Sequence, residues 1–104
     1  MTYSNDISWK HTLGIYYKNL RLIPSKRADR ELLRYGFALE DCKEILERGY
    51  SPRKRGKNTV EKWMDCGSKT YNVVVVKSLN FTYNEEVYLI THFGEFTKKK
   101  GLIK

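Results

Sequence analysis

The apolar positions of this chain change period about halfway along. Between residues 26 and 48 they recur at helical intervals, and beyond residue 60 they run at strand intervals. In the segment 26–35, Ala28, Leu32 and Tyr35 fall on one narrow stripe at about 100° per residue, and Arg27, Arg30 and Arg34 fall on another roughly a quarter turn away. Ser25 is placed to cap the N-terminus of this helix, and Gly36 to end it in a left-handed conformation. A second helix is predicted from Leu39 to Arg48, with Leu39, Cys42, Ile45 and Leu46 on its apolar face. Glu40 and Asp41 lie in its first turn, where negative charge suits the helix dipole, and Gly49 follows its end. So short a join makes the two helices pack as a tight corner or hairpin.

The strand period begins at residues 62–66, which are followed by a two-residue turn signal at Gly67-Ser68. Residues 69–79 form a longer strand around Val73-Val74-Val75-Val76. Four valines in succession predict a strand covered on both faces, and hence central in its sheet. Asn84-Glu85 marks the next turn and residues 86–93 the next strand. Upstream, residues 20–23 read as a short extended piece, because Pro24 biases Ile23 away from helix. Residues 7–17, with Ile7, Trp9, Leu13, Tyr16 and Tyr17, have the spacing of a short amphipathic helix, against which Gly14 and the tyrosine pair count. The fold class expected is α+β: two short helices followed by an antiparallel β-meander, with the helices on one face of the sheet. The chain of 104 residues has room for one domain, divided into an N-terminal extension 1–19, a core 20–97 and a basic tail 98–104.

Charge changes the picture. There are 20 Lys and Arg against 12 Asp and Glu, a formal net charge of +8, and the excess is clustered. Besides the arginine stripe, Arg53, Lys54, Arg55 and Lys57 sit in a segment, 51–59, with no apolar residue except Pro52, and Lys98, Lys99, Lys100 and Lys104 make the tail basic. Clusters of this kind are the footprint of a protein that meets phosphates, with RNA or another nucleic acid as the partner they imply. Guanidinium groups offer forked donors matched to phosphate oxygens. The same stripe is also what an exposed helix face looks like, with Asp29 and Glu31 near enough to pair with part of it. The 51–59 loop joins the helices to the sheet and can fold over a sheet face. On the phosphate reading, Arg27, Arg30, Arg34 and the loop should border one concave surface.

No apolar run approaches the roughly 18 residues of a membrane span, and residues 1–9 lack the apolar stretch of a secretory signal. The expected location is cytoplasmic, with no membrane partner. Cys42 and Cys66 fit that compartment as two separate thiols. With His11 and His92 they show no metal-ligand spacing, so no metal and no cofactor is expected. Motifs for nucleotide hydrolysis, nicotinamide binding and paired-carboxylate chemistry are missing.

The last strand carries the candidate for proton transfer. Strict alternation puts Tyr88, Ile90 and His92 on one face and Val87, Leu89 and Thr91 on the other. Histidine is the side chain whose ordinary range lies near neutral pH, which makes His92 the best acid or base here, with Tyr71 and Tyr88 as weaker ones. A lone histidine is also commonly half-buried and bonded to backbone. Tyrosines on a sheet, here Tyr71, Tyr83 and Tyr88, can stack on bases but more often pack strands.

The stretch Ser25-Lys26-Arg27-Ala28 through Leu33-Arg34-Tyr35-Gly36-Phe37, followed by Leu39 to Gly49 and then a meander, resembles a family of small toxin-related domains of the RelE and BrnT type. The resemblance covers residues 20–97 and rests on pattern and order. It implies the compact α+β fold of barnase-like and RelE-like ribonucleases, an RNA-directed activity and an acidic antitoxin as partner. The family's histidine near the start of the first helix aligns with Arg27, its arginine before glycine aligns one residue away from Arg34, and Thr91-His92 replaces its last-strand ending. Metal-free cleavage of this class uses the RNA 2′-hydroxyl as nucleophile and needs a base, cations on the phosphate and an acid. Arg27, Arg30, Arg34 and the 53–57 loop would supply cations, and His92 the acid or base. A non-catalytic nucleic-acid- or protein-binding module on the same fold is the alternative.

Overall fold

Two short strands come before the first helix. The structure is a computed structural model that describes residues 14–97. Strand β1 (Tyr16–Tyr17) turns back into β2 (Leu20–Pro24), with Tyr16 opposite Arg21. The turn between them has Lys18 at φ 50° and Asn19 at φ 69°, the paired positive values of a type I′ hairpin turn. Tyr16 and Tyr17 are therefore strand and not the end of a helix; the rest of the expected 7–17 segment up to residue 13 lies outside the described residues, as does the tail 98–104.

Helix α1 (Lys26–Tyr35) begins and ends as its sequence implies. The Ser25 side chain accepts a hydrogen bond from the Ala28 N–H at 3.0 Å, and Gly36 takes φ 74°, where a Cβ would be strained. Helix α2 (Leu39–Arg48) starts without a side-chain cap at Ala38; instead Asp41 reaches back to the Ala38 N–H at 2.8 Å. Strands β3 (Thr59–Cys66), β4 (Lys69–Asn80) and β5 (Glu85–Thr97) then form an antiparallel meander.

The five strands make one sheet in the order β1-β2-β5-β4-β3. The sheet is mixed: β2 pairs with β5 in parallel, with Leu22 opposite Tyr88. The expectation of a purely antiparallel meander after the helices is corrected on this point. The chain leaves β2 through both helices and two strands, and β5, entering from its hairpin with β4, lies beside β2 and runs in the same direction, as the long intervening connection permits. The middle strand is β5, and β4 lies between β5 and β3.

One apolar cluster joins both helices to one face of the sheet. It contains Ala28 and Leu32 of α1, Cys42, Ile45 and Leu46 of α2, and Val73, Val75, Tyr88, Ile90 and Phe93 of the strands. Phe37 and Tyr71 pack on Phe93 with centroids 5.0 and 6.1 Å away. Each fully buried aliphatic or phenyl side chain contributes about 1.5–3 kcal/mol. Val74 is buried too, but on the other face, where it stands opposite Glu61 on one side and His92 on the other. Val73, Val74 and Val75 are thus buried while Val76 is half-buried, so the run is inside the sheet, next to the middle strand, with a helical layer on one face only.

Ile90 and Phe93 both reach the core although they are three residues apart. A bulge permits it. Val75 pairs with Ile90 and Val74 with His92, which leaves Thr91 as the extra residue. The Thr91 hydroxyl lies 3.4 Å from the Val74 carbonyl. The alternation expected for 87–93 is corrected accordingly: Tyr88 and Ile90 share the core face, while His92 goes to the other.

Candidate nucleic-acid interface

The basic loop after α2 does fold against the sheet. Residues 51–57, the β1–β2 turn and the start of β3 enclose a groove of about 610 Å³. Among the described residues its lining carries Lys18, Arg53, Lys54, Arg55, Lys57 and Lys62 against a single carboxylate, Glu61. That carboxylate is almost wholly buried, at 5% exposure, and it organises the loop. Arg55 Nη1 lies 3.0 Å and Arg53 Nε 3.4 Å from Glu61 Oε1, and the Trp63 indole N–H donates to Oε2 at 2.7 Å. One buried anion thus holds two guanidinium groups in place. Lys18, Lys54, Lys57 and Lys62 pair with no carboxylate among the described residues, although Lys18 sits 5.4 Å from the Tyr17 ring. The arrangement is a cationic trough in which one carboxylate holds two arginines and four lysines add charge, a composition that matches phosphate oxygens.

The arginine stripe of α1 lies elsewhere. Arg27, Arg30 and Arg34 are exposed, and none of them lines the groove, so this groove is not the one concave surface expected to be bordered by the stripe and the 53–57 loop together. The helix and the loop approach different strands: α1 packs on β5 and β2, whereas the loop is tied to β3 through Glu61. Arg27 donates to Glu31 Oε2 at 3.3 Å.

Glu31 leads to His92. Beyond Ile90, β2 no longer covers β5, and α1 lies along that stretch of strand. Glu31 Oε1 there accepts the Phe93 backbone N–H at 2.8 Å and lies 3.3 Å from His92 Nδ1. Burial alone would raise the Glu31 carboxyl; the Phe93 N–H, the His92 ring and Arg27 outweigh it and hold the carboxyl below its ordinary range. Nδ1 is buried and its alignment with the carboxylate falls short of a formed hydrogen bond. The ring is 34% exposed and leans over Gly94, where a Cβ would come within 2.8 Å of Nε2 and 2.5 Å of Asn72 Oδ1. Asn72 is itself buried, and its Oδ1 has no hydrogen-bond partner among the described residues. In register, Glu61, Val74 and His92 form one row across β3, β4 and β5, and Trp63, Asn72 and Gly94 form the next row on the same face. Two interstrand spacings, about 10 Å, therefore separate the backbone of His92 from that of the carboxylate that holds the loop arginines.

The two tyrosines grouped with His92 on sequence are not beside it. Tyr88 is in the core, 5.5 Å from the Tyr17 ring, out of reach of any substrate. Tyr71 is on the helix-bearing face, 4.7 Å from Phe37; burial raises its phenol and Glu95 adds to the rise. Tyr83 meets Arg21, whose guanidinium carbon lies 4.4 Å from the ring while its Nε pairs with Glu85 at 3.2 Å. Sequence reasoning also passed over Glu31, Glu61 and Asn72. A glutamate four residues after Arg27 signalled only a helix-surface pair, and nothing local marks Glu61, whose arginine partners come from the loop, or Asn72, which is buried within the sheet.

No helix among the described residues is long and apolar enough to cross a membrane, and those residues contain no group of three or more His, Cys, Asp and Glu side chains able to hold a metal ion. Comparison with protein-family models, with curated proteins and with solved structures yields no match.

Proposed function

We propose that this α+β domain binds RNA, with the phosphate backbone in the groove between the 51–57 loop and the β1–β2 turn. The observation that carries the reading is the lining of that groove by the described residues: six cations and one buried carboxylate, of which Oε1 meets two of the cations and Oε2 accepts the Trp63 indole N–H. A groove so composed attracts any polyanion, and the affinity falls with salt because each neutralised phosphate releases counterions. An acidic antitoxin-like protein would compete for the same surface.

A second reading, cleavage of the bound RNA without metal, is favoured by His92. It is half-exposed, it sits against an ionised glutamate, and it shares a row of the sheet with Glu61. In this reaction Nε2 takes the proton of the 2′-hydroxyl, the 2′-oxygen bonds to phosphorus, and the bond from phosphorus to the 5′-oxygen breaks. The products are a 2′,3′-cyclic phosphate and a 5′-hydroxyl that takes its proton from water. A guanidinium near the phosphate stabilises the charge that develops. The test is incubation of the purified protein with total RNA in EDTA, beside a binding titration at several salt concentrations. Binding that is insensitive to salt would sink the groove reading. Salt-sensitive binding with no cleavage would leave the domain as a non-catalytic binding module of the RelE-like type.

A further inference from the structure

A histidine can act as a base through Nε2 only if its neutral ring carries the proton on Nδ1, and which nitrogen holds that proton is decided by the partner of the other. In His92 the two nitrogens have different surroundings. Nδ1 is buried and faces Glu31 Oε1 at 3.3 Å. Nε2 makes no hydrogen bond with the described residues and is not among their buried unpaired atoms, so it is the nitrogen open to exchange. Glu31 is not free to follow the ring. Its carboxylate is fixed by the Phe93 N–H at 2.8 Å and by Arg27 at 3.3 Å, and its helix is capped at both ends.

We infer that Glu31 is a positioning residue for His92: it holds the imidazole as the Nδ1–H tautomer, leaving the Nε2 lone pair directed away from the helix above Gly94. The role of the resulting base in RNA cleavage rests on the function proposed above; the tautomer itself does not. Three features favour the pairing. The acceptor is ionised and cannot itself donate a proton to Nδ1. The Thr91 bulge places His92 at the strand edge that α1 covers. The absence of a Cβ at residue 94 leaves space for the ring in this orientation, since a methyl group there would fall 2.8 Å from Nε2. The 3.3 Å separation and imperfect alignment are those of a resting site, in which such bonds are commonly long and close up once substrate is bound. When Nε2 accepts a proton, the imidazolium charge is offset by Glu31, as in other carboxylate–histidine pairs.

The experiment is nitrogen-15 NMR of the imidazole nitrogens of the full chain, at a pH where the ring is neutral, on wild type and Glu31→Gln, with His11→Gln in both to leave one histidine signal. The glutamine keeps an oxygen for the Phe93 N–H, so the fold is expected to persist, and the backbone spectrum reports whether it does. The Nδ1–H tautomer should predominate in wild type and give way to Nε2–H in Glu31→Gln. If RNA is cleaved, Glu31→Gln should lower kcat by tenfold or more with KM little changed. An Nε2–H ring in wild type overturns the inference even if the variant fails to fold, and so does a tautomer that ignores the substitution. The predicted tautomers without any cleavage uphold the pairing and dismiss the ribonuclease reading alone.

Discussion

Glu31 of α1 accepts the backbone N–H of Phe93 at 2.8 Å, so a helix side chain does for β5 what a neighbouring strand would otherwise do. A buried backbone donor left unpaired costs about 1–3 kcal/mol. The contact thus ties helix to sheet at the place where β2 ends, and it brings the same carboxylate to His92.

The pairing has a pH signature in stability. The Glu31 carboxyl is depressed in the folded protein, so its ionisation contributes stability above the ordinary carboxylate range, and that contribution is lost as pH falls through the folded value. Glu31→Gln should be less stable than wild type by about 1 kcal/mol near neutral pH. The gap should close on acidification. Urea titrations of both proteins at several pH values measure it; a gap that is constant with pH would show that the carboxylate charge contributes nothing.

Val75 makes the core prediction. It has no exposed surface and sits in the cluster that joins both helices to the sheet. Val75→Asp buries an unpaired charge at a cost of several kcal/mol, against a total stability of about 5–15 kcal/mol. Circular dichroism and size exclusion should show an unfolded or aggregated protein. Val76→Thr, one residue along at a half-buried position, should fold with a loss of about 1 kcal/mol or less.

The two thiols should differ in reactivity. Burial, with a lesser effect from Asp41, pushes the Cys42 thiol up to about 12, whereas Cys66 is exposed at the β3–β4 turn. A thiol-specific reagent added to native protein should titrate one cysteine quickly, and the second only on denaturation. Two fast equivalents would mean that the α2 packing opens readily.

Nucleic-acid affinity separates the groove from the stripe. Lys54→Ala with Lys57→Ala should weaken RNA binding uniformly across sequences and reduce the salt slope by about 2. Arg30→Ala with Arg34→Ala, which alters the exposed α1 face away from the groove, should have a clearly smaller effect. Equal losses from both pairs would place the contact surface across helix and loop together.

The parts of this protein that were legible in its sequence are those decided by neighbours in the chain. The period of the apolar residues, Ser25 as a cap and Gly36 as a stop act within a few residues, so α1 and α2 follow with their boundaries, and the existence of β3 to β5 follows from the apolar runs and turns, although β3 and β5 extend beyond the expected 62–66 and 86–93. The basic character of the 51–57 loop is likewise plain in its residues. Tertiary structure decided what depends on distant contacts. The parallel pairing of β2 with β5 is between segments more than sixty residues apart and leaves no local mark. The bulge at Thr91 exists because Ile90 and Phe93 must both enter one core, and that demand, rather than any turn residue, sends His92 to the other face. Glu61 and Glu31 read as ordinary surface acids until the fold buries Glu61 against the arginines of a loop and half-buries Glu31 against the open stretch of a strand, where an ionised group interacts more strongly than it does in water.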